Sequence, residues 1–188
     1  MKVCTATLRS ISAYSQSKMH DTPKLDKEGH DEYEKRTWRE KAHYDEETRE
    51  IFIPPMAFKQ CIDGAAKYLS LQVPGKGKAT YTKHFNSGVL VMDRVATGLS
   101  VDDAAGEWIN ANSDGVRGSG KRVKRCFPIV PKWAGDLDFY ILDEVIRNDV
   151  FEQVLSEAGK FKGIGRFRPE NGGFYGRFEL VNTSWRDA

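Results

Sequence analysis

At 188 residues the chain can build one sizeable core, and 39% hydrophobic with 30% charged residues is an ordinary water-soluble composition. No apolar run is long enough to span a membrane, "MKVCTATLRS" lacks the apolar centre of a signal peptide, and three scattered cysteines (Cys4, Cys61, Cys126) suggest neither a disulfide framework nor a zinc site, so a reducing cytoplasm is expected. The net charge of +2 hides an asymmetry: residues 75–84, 115–125 and 159–178 hold thirteen lysines and arginines against one acid, leaving the rest at −10, which suits a polyanionic partner.

Residues 3–9, "VCTATLR", alternate in polarity, with Cys4, Ala6 and Leu8 on one face and Val3, Thr5, Thr7 and Arg9 on the other. That pattern predicts a half-buried strand. Residues 18–50 carry eleven acidic and eight basic side chains. Charge pairs at i,i+4 spacing predict an exposed helix inside a charged insertion, 10–50, that projects from the core as an arm or thumb. "IFIPPMAFKQCIDGAAKYLSL" predicts a short strand and then a helix opened by Pro55, with Phe58, Cys61, Ile62, Ala65 and Leu69 on one stripe. "QVPGKGKATYTKHFNSG" reads as a loop, and "VLVMDRV" (89–95) as a second main strand.

"GEWINAN" and "KRVKRCFPIV" flank "SDGVRGSG" and predict a hairpin, 106–130, with a basic tip. "DLDFYILD" alternates again. A second helix is expected from Asn148, as N-cap, to Gly159, as the terminating residue, with Phe151, Val154, Leu155 and Ala158 inward. "FYGRFELV" is the last strand. The order gives an α+β fold: a ferredoxin-like (RRM-like) βαββαβ core in one domain, 1–188, with two helices on one sheet face and the other face open.

Several motifs bear on chemistry. "GVRGSGKR" (115–122) nearly matches a phosphate-binding P-loop, but Arg122 stands where a hydroxyl should reach magnesium, and a strand follows instead of a helix. His20, His30, His43 and His84 show no metal-ligand spacing, and Asp21, Asp26, Asp31 and Glu32 read as a solvated face, so no metal and no cofactor is expected. There is no GxSxG elbow; His20 and His43 are the candidate acid–base groups if the chain is catalytic.

The closing stretch "GIGRFRPENGGFYGRFEL" (163–180) is the most informative, with five glycines and three arginines. Gly163 and Gly165 follow the second helix and permit close backbone approach to a ligand. Arg166 and Arg168 project from the loop, while Gly172, Gly173 and Gly176 bracket Phe174 and Tyr175. Amides, arginine forks and aromatic faces together suit a sugar-phosphate chain with unstacked bases.

A glycine-rich loop after the second helix of such a unit, leading into its last strand, resembles the signature of the RAMP superfamily, the RNA-binding proteins of CRISPR systems. "IFIPPMAFKQCIDGAAK" is similar to the strand–Ile-Pro–helix entry of RAMP backbone subunits, with Lys59 as that helix's basic residue. The chain departs from the family in having no clear second unit. A small phage or prophage gene in a bacterial host is the expected source.

The resemblance implies a non-enzymatic protein that binds single-stranded RNA, with DNA left open, and that oligomerises along it or joins a CRISPR-like ribonucleoprotein away from membranes. Lys59, Lys76, Lys78, Lys121, Arg122, Lys124, Arg166, Arg168 and Arg177 would track the phosphates, and Phe174 and Tyr175 would stack on bases. Arg9, Tyr14, Ser15 and Lys18 would line the same channel as Gly163 and Gly165, and all these loops are expected to converge on one groove beside the open sheet face. Two alternatives follow from the same likeness. One is a metal-independent endoribonuclease similar to the RAMP enzymes that process CRISPR transcripts, which needs His20, His43 or His84 to face 163–176. The other is a viral decoy of a backbone subunit, acting through protein contacts.

Overall fold

The alternating opening forms a strand, β1 (Lys2–Ser10), in the computed structural model, which describes residues 1–113, 116, 118 and 120–188. A two-residue strand, β2 (Tyr14–Ser15), helix α1 (His30–Thr37) and β3 (Glu50–Ile53) follow. Next come α2 (Pro55–Leu69), α3 (Thr82–Gly88), β4 (Val89–Val91) and β5 (Val95–Ser100). The order closes with β6 (Ala105–Asn112), β7 (Arg122–Val130), β8 (Ala134–Ile141), α4 (Asn148–Glu157) and β9 (Phe178–Asp187). The fold is mixed α and β with antiparallel sheets. The near-P-loop at 115–122 lies partly outside the described residues.

The main sheet runs β4-β8-β1-β9, every pairing antiparallel. Period-two alternation decides its two faces. Cys4, Ala6 and Leu8 of β1 are fully buried, beside Leu137, Phe139 and Ile141 of β8. Against this layer pack Phe58, Ile62 and Ala65 of α2 and Phe151, Val154 and Leu155 of α4, each large side chain contributing about 1.5–3 kcal/mol by leaving water. Phe151 is the hub, with ring centroids of Phe139 at 5.3 Å, Trp185 at 5.5 Å and Phe85 at 6.2 Å.

The opposite face is polar, and its arginines are paired. Thr5 donates to Asp138 at 2.5 Å and Thr7 to Asp136 at 2.6 Å; Arg186 pairs with Asp138, and Arg9 with Glu179. Among the described residues no free cationic trough lies along this face, which corrects the expectation of a shared groove there.

A second sheet, β2-β7-β6, contains the hairpin, and β3 with β5 makes a separate ribbon. The segment read as one strand over 89–95 is therefore two, β4 in the main sheet and β5 in the ribbon. The stretch read as a loop contains α3, because Tyr81 and Phe85 bury their rings completely, at 2% and 0% exposure.

The 10–50 segment is not a projecting arm. Tyr14, Trp38 and Ala42 are buried, and so are Glu34 and Lys41. Glu34 accepts the Cys126 amide at 2.6 Å, the Lys41 ammonium and the Arg125 guanidinium at 3.3 Å, while Lys41 also donates to the Cys126 carbonyl at 2.9 Å. Charges that pair with one another and with a strand edge can leave water, which composition alone does not reveal.

Helix α4 also differs at both ends. Arg147, not Asn148, is its N-cap, and the Asn148 side chain accepts from Lys2 at 3.2 Å. Past Glu157 the chain widens into a π-helical turn, Ala158–Lys162, instead of stopping at Gly159. Gly159 packs directly on the start of β9, where a side chain would overlap the Phe178 carbonyl.

Candidate nucleic-acid interface

The glycine-rich loop is built against β2. Gly165 has φ +78°, and a methyl there would overlap the Ser15 carbonyl and come 2.5 Å from the Tyr14 ring, so only glycine fits. The loop is fastened by the Arg166 amide to Ser15 O at 2.8 Å and the Gly176 amide to Ala13 O at 2.7 Å. It closes on itself through Ile164 N to Gly176 O at 3.0 Å and Tyr175 N to Phe167 O at 3.1 Å. On its other side β2 pairs with β7, so loop and hairpin share one short support.

Between this loop, the first turn of α2 and the segment 16–18 lies a cleft of about 400 Å³. Lys18, His43, Met56, Gln60 and Arg168 line it, with Gly163 and Gly165 in its wall. Helix α2 starts at Pro54-Pro55, which lack amide hydrogens, and its positive end sits at the cleft. The amides of Gly165, Phe167 and Arg168 donate to no protein acceptor among the described residues. Donors, cations and a helix N-terminus at one concavity suit an anion.

The charges around it are unequal. The Lys18 ammonium lies 5.9 Å from the Tyr44 ring centroid and makes no ion pair among the described residues. Arg168 pairs with Glu170 at 3.1 Å and donates to Gly165 O at 3.2 Å. Burial pushes the Glu170 carboxyl up, but hydrogen bonds from Lys162 and Arg168 hold it below the ordinary range. Burial, and then the Lys18 charge, push His43 below the usual imidazole range, so the ring is neutral at pH 7. Gln16 fixes His43 by accepting its amide hydrogen, and anchors itself by donating to Phe52 O at 2.7 Å.

The expected site residues divide sharply. Lys18, Tyr14, Gly163, Gly165, Arg166 and Arg168 all border the cleft. Tyr14 and Ser15 are buried, Tyr14 forming the wall and Ser15 donating to Pro128 O at 3.1 Å. Arg166 turns inward: it pairs with Glu107, donates to Ser15 Oγ at 3.1 Å and stacks 4.3 Å from Phe127. Tyr175 is 8% exposed and donates to Glu107 at 2.6 Å; burial and that carboxylate push its hydroxyl up to about 12. Its ring therefore offers no open face.

Phe174 is half exposed, and its ring meets Tyr175 at 4.3 Å and Phe167, itself held at φ +53°, edge-on at 5.7 Å. Neither Phe167 nor Glu107 was singled out in the sequence, although Phe167 stands between Arg166 and Arg168. Arg177 donates to Lys160 O at 3.1 Å.

The remaining cations lie elsewhere. Lys59 grips Asp63 at 2.5 Å and the carbonyls of Phe85 and Asn86, closing the end of α3. Lys76 and Lys78 line neither the cleft nor the groove along β7, and Lys76 acts on Asp143 at the far end of α3. Lys121, Arg122 and Lys124 line that separate groove. Arg9 sits on the polar sheet face. These loops hang from different elements and do not meet in one channel. Among the histidines, His20 stacks on Tyr33 at 6.2 Å and His84 bonds Asp143 at 2.7 Å, so His43 is the one beside the glycine loop.

No family model and no curated protein matches the chain. Solved structures do. A chain in the cryo-EM structure of the Type III-B Cmr-beta bound to cognate target RNA superposes with TM-score 0.54 at 13% identity, over 98% of this chain and 60% of that one. The crystal structure of Cmr6 from Pyrococcus furiosus gives TM-score 0.51 at 11% identity, over 95% of this chain and 98% of Cmr6. The chain thus spans about three-fifths of the first neighbour and nearly all of the second. At these identities the shared property is the fold. Among the described residues no helix is long and apolar enough to cross a membrane.

Proposed function

We propose that this chain is a RAMP-like subunit that binds single-stranded RNA within a CRISPR-type ribonucleoprotein. The sheet order β4-β8-β1-β9, with α2 and α4 as the crossing helices, favours a ferredoxin-like core. The observation that carries the RNA reading is the meeting of the glycine-rich loop, the positive end of α2 and Lys18 at one cleft. Such a cleft grips a phosphate through amides and charge and leaves the attached base free to reach Phe174 and Phe167. One structural neighbour is a chain of the Type III-B Cmr-beta structure, which is bound to cognate target RNA, and this supports the same reading.

Anisotropy titration of labelled oligouridine over a salt series tests it. The Lys18→Ala/Arg168→Ala double variant should weaken binding and flatten the slope of log K against log salt by about 1.4. Affinity indifferent to both salt and the variant would overturn the reading.

A second reading rests on His43, whose neutral imidazole stands beside Lys18 and the glycine loop. A neutral histidine is competent to take the 2′-hydroxyl proton during metal-independent cleavage of RNA. Incubating end-labelled RNA with EDTA decides it. Cutting by the wild type that His43→Ala loses without losing affinity makes the chain a nuclease, and intact RNA leaves it a binding subunit.

A further inference from the structure

We propose a second nucleic-acid site, on the β6–β7 ribbon and separate from the cleft, that holds another single-stranded segment; it rests on the RNA reading for its ligand class but uses none of the cleft residues. Between the start of α1 and the exposed end of β7 lies a groove of about 690 Å³. Asn110 and Ser113 line it together with the cationic run Lys121–Arg125.

Strand register arranges this surface. Trp108 stands opposite Cys126, Asn110 opposite Lys124 and Asn112 opposite Arg122. Side chains two apart share a face, so one face of the ribbon presents an indole, the Asn110 carboxamide, a lysine and an arginine, while the Asn112 side-chain amide donates to Val116 O. Trp108 exposes 46% of its surface, and Arg122 and Lys124 are exposed as well. Arg122 and Lys124 are about 6.8 Å apart along the strand, close to the step between phosphates of an extended nucleic acid. A carboxamide can read base edges, and an indole face stacks on any base.

The charge here is open. Lys121 and Arg122 make no ion pair among the described residues, and Lys124 meets Asp31 only at 3.6 Å, both side chains being more than half exposed. Arg125 is the exception, turned to Glu34 at 3.3 Å. In the cleft, by contrast, Arg166 and Arg168 both have carboxylate partners. His30 adds an Nε2 at the groove's rim that is buried without a partner among the described residues.

The two sites lie on different faces of one ribbon. Glu107 and Phe127, directly opposite each other, meet Arg166 and Tyr175 of the glycine loop. Trp108, Asn110 and Lys124, one residue out of phase, face away. An acidic peptide would satisfy the cations but leave the indole and the carboxamide unread, so a nucleic-acid strand fits the whole surface better.

The test is stoichiometric. Oligouridine of about eight nucleotides, short enough to fill a single site, is titrated into the full chain and followed by calorimetry and tryptophan fluorescence. Wild type should bind two per chain with quenching. Arg122→Glu/Lys124→Glu should bind one, and so should Lys18→Ala/Arg168→Ala, each through the site left intact. Trp108→Phe, a mild change at an exposed position, should keep two sites and lose most of the quenching, which guards against misfolding of the charge variant. A wild-type ratio of one that only the cleft variant abolishes would overturn the second site and leave the first standing. Displacement from the ribbon by polyglutamate at equal charge would also overturn it as a nucleic-acid site. Failure of every form to bind would bring down the RNA reading itself.

Discussion

Gly165 is the point at which the loop touches β2, and its missing side chain can be tested against another glycine of the same loop. Gly172 has nearly the same φ, +77° against +78°, but a methyl there would meet nothing within 4 Å. Gly172→Ala should cost about 1 kcal/mol, the penalty of a left-handed alanine. Gly165→Ala adds collision with Ser15 and Tyr14 and should cost about 3 kcal/mol or more, with weaker RNA binding. Urea denaturation of both variants measures the difference, and equal losses would show that β2 does not confine the loop. The closeness of Gly163, Gly165 and Arg168 to one concavity was legible because glycine-rich composition marks a tight loop after the second helix. The fate of Arg166 and Tyr175 was not, since Glu107, which engages both, lies 59 and 68 residues away in the chain.

Helix α1 shows how an element can look exposed and be fixed in place. Its Glu34 carboxylate is shielded from water, which pushes its pKa up, but the Cys126 amide and Lys41 outweigh that and hold it below the ordinary glutamate range. A carboxyl lowered in the folded state stabilises above its unfolded pKa, and that contribution drains away as pH falls through the folded value. Glu34→Ala strands Lys41 and the Cys126 amide, and should cost about 3–5 kcal/mol by urea titration at pH 7. The gap between variant and wild type should narrow in acid; a constant gap from pH 7 to pH 3 would mean that the charge is unimportant. Strand β1 and helix α2 were readable because a strong period of two or 3.6 survives in the bare sequence. Helix α3 and the π-helical turn were not, because what holds them is burial of Phe85 and contact of Gly159 with Phe178, neither of which is periodic.

Across the whole molecule, positive charge is distributed among separate sites. On the polar sheet face, Thr5, Asp138 and Arg186 satisfy one another, and Arg9 meets Glu179 at 2.5 Å. Arg9→Ala should therefore leave affinity for oligouridine within about twofold of wild type, since an exposed ion pair adds little and its cation is already partnered. A tenfold loss in the same anisotropy assay would return the sheet face to consideration. The charge asymmetry was visible in the sequence, but its division between a cleft and a ribbon depends on which elements carry each loop.

Strand β2 has only two residues, yet it joins the hairpin on one side and the glycine-rich loop on the other. Two distant stretches of chain thus hang from a single hinge pin. Whatever shifts that pin moves the cleft and the ribbon together, so under the proposed function a strand seated in one would alter the readiness of the other without any signal crossing the hydrophobic interior.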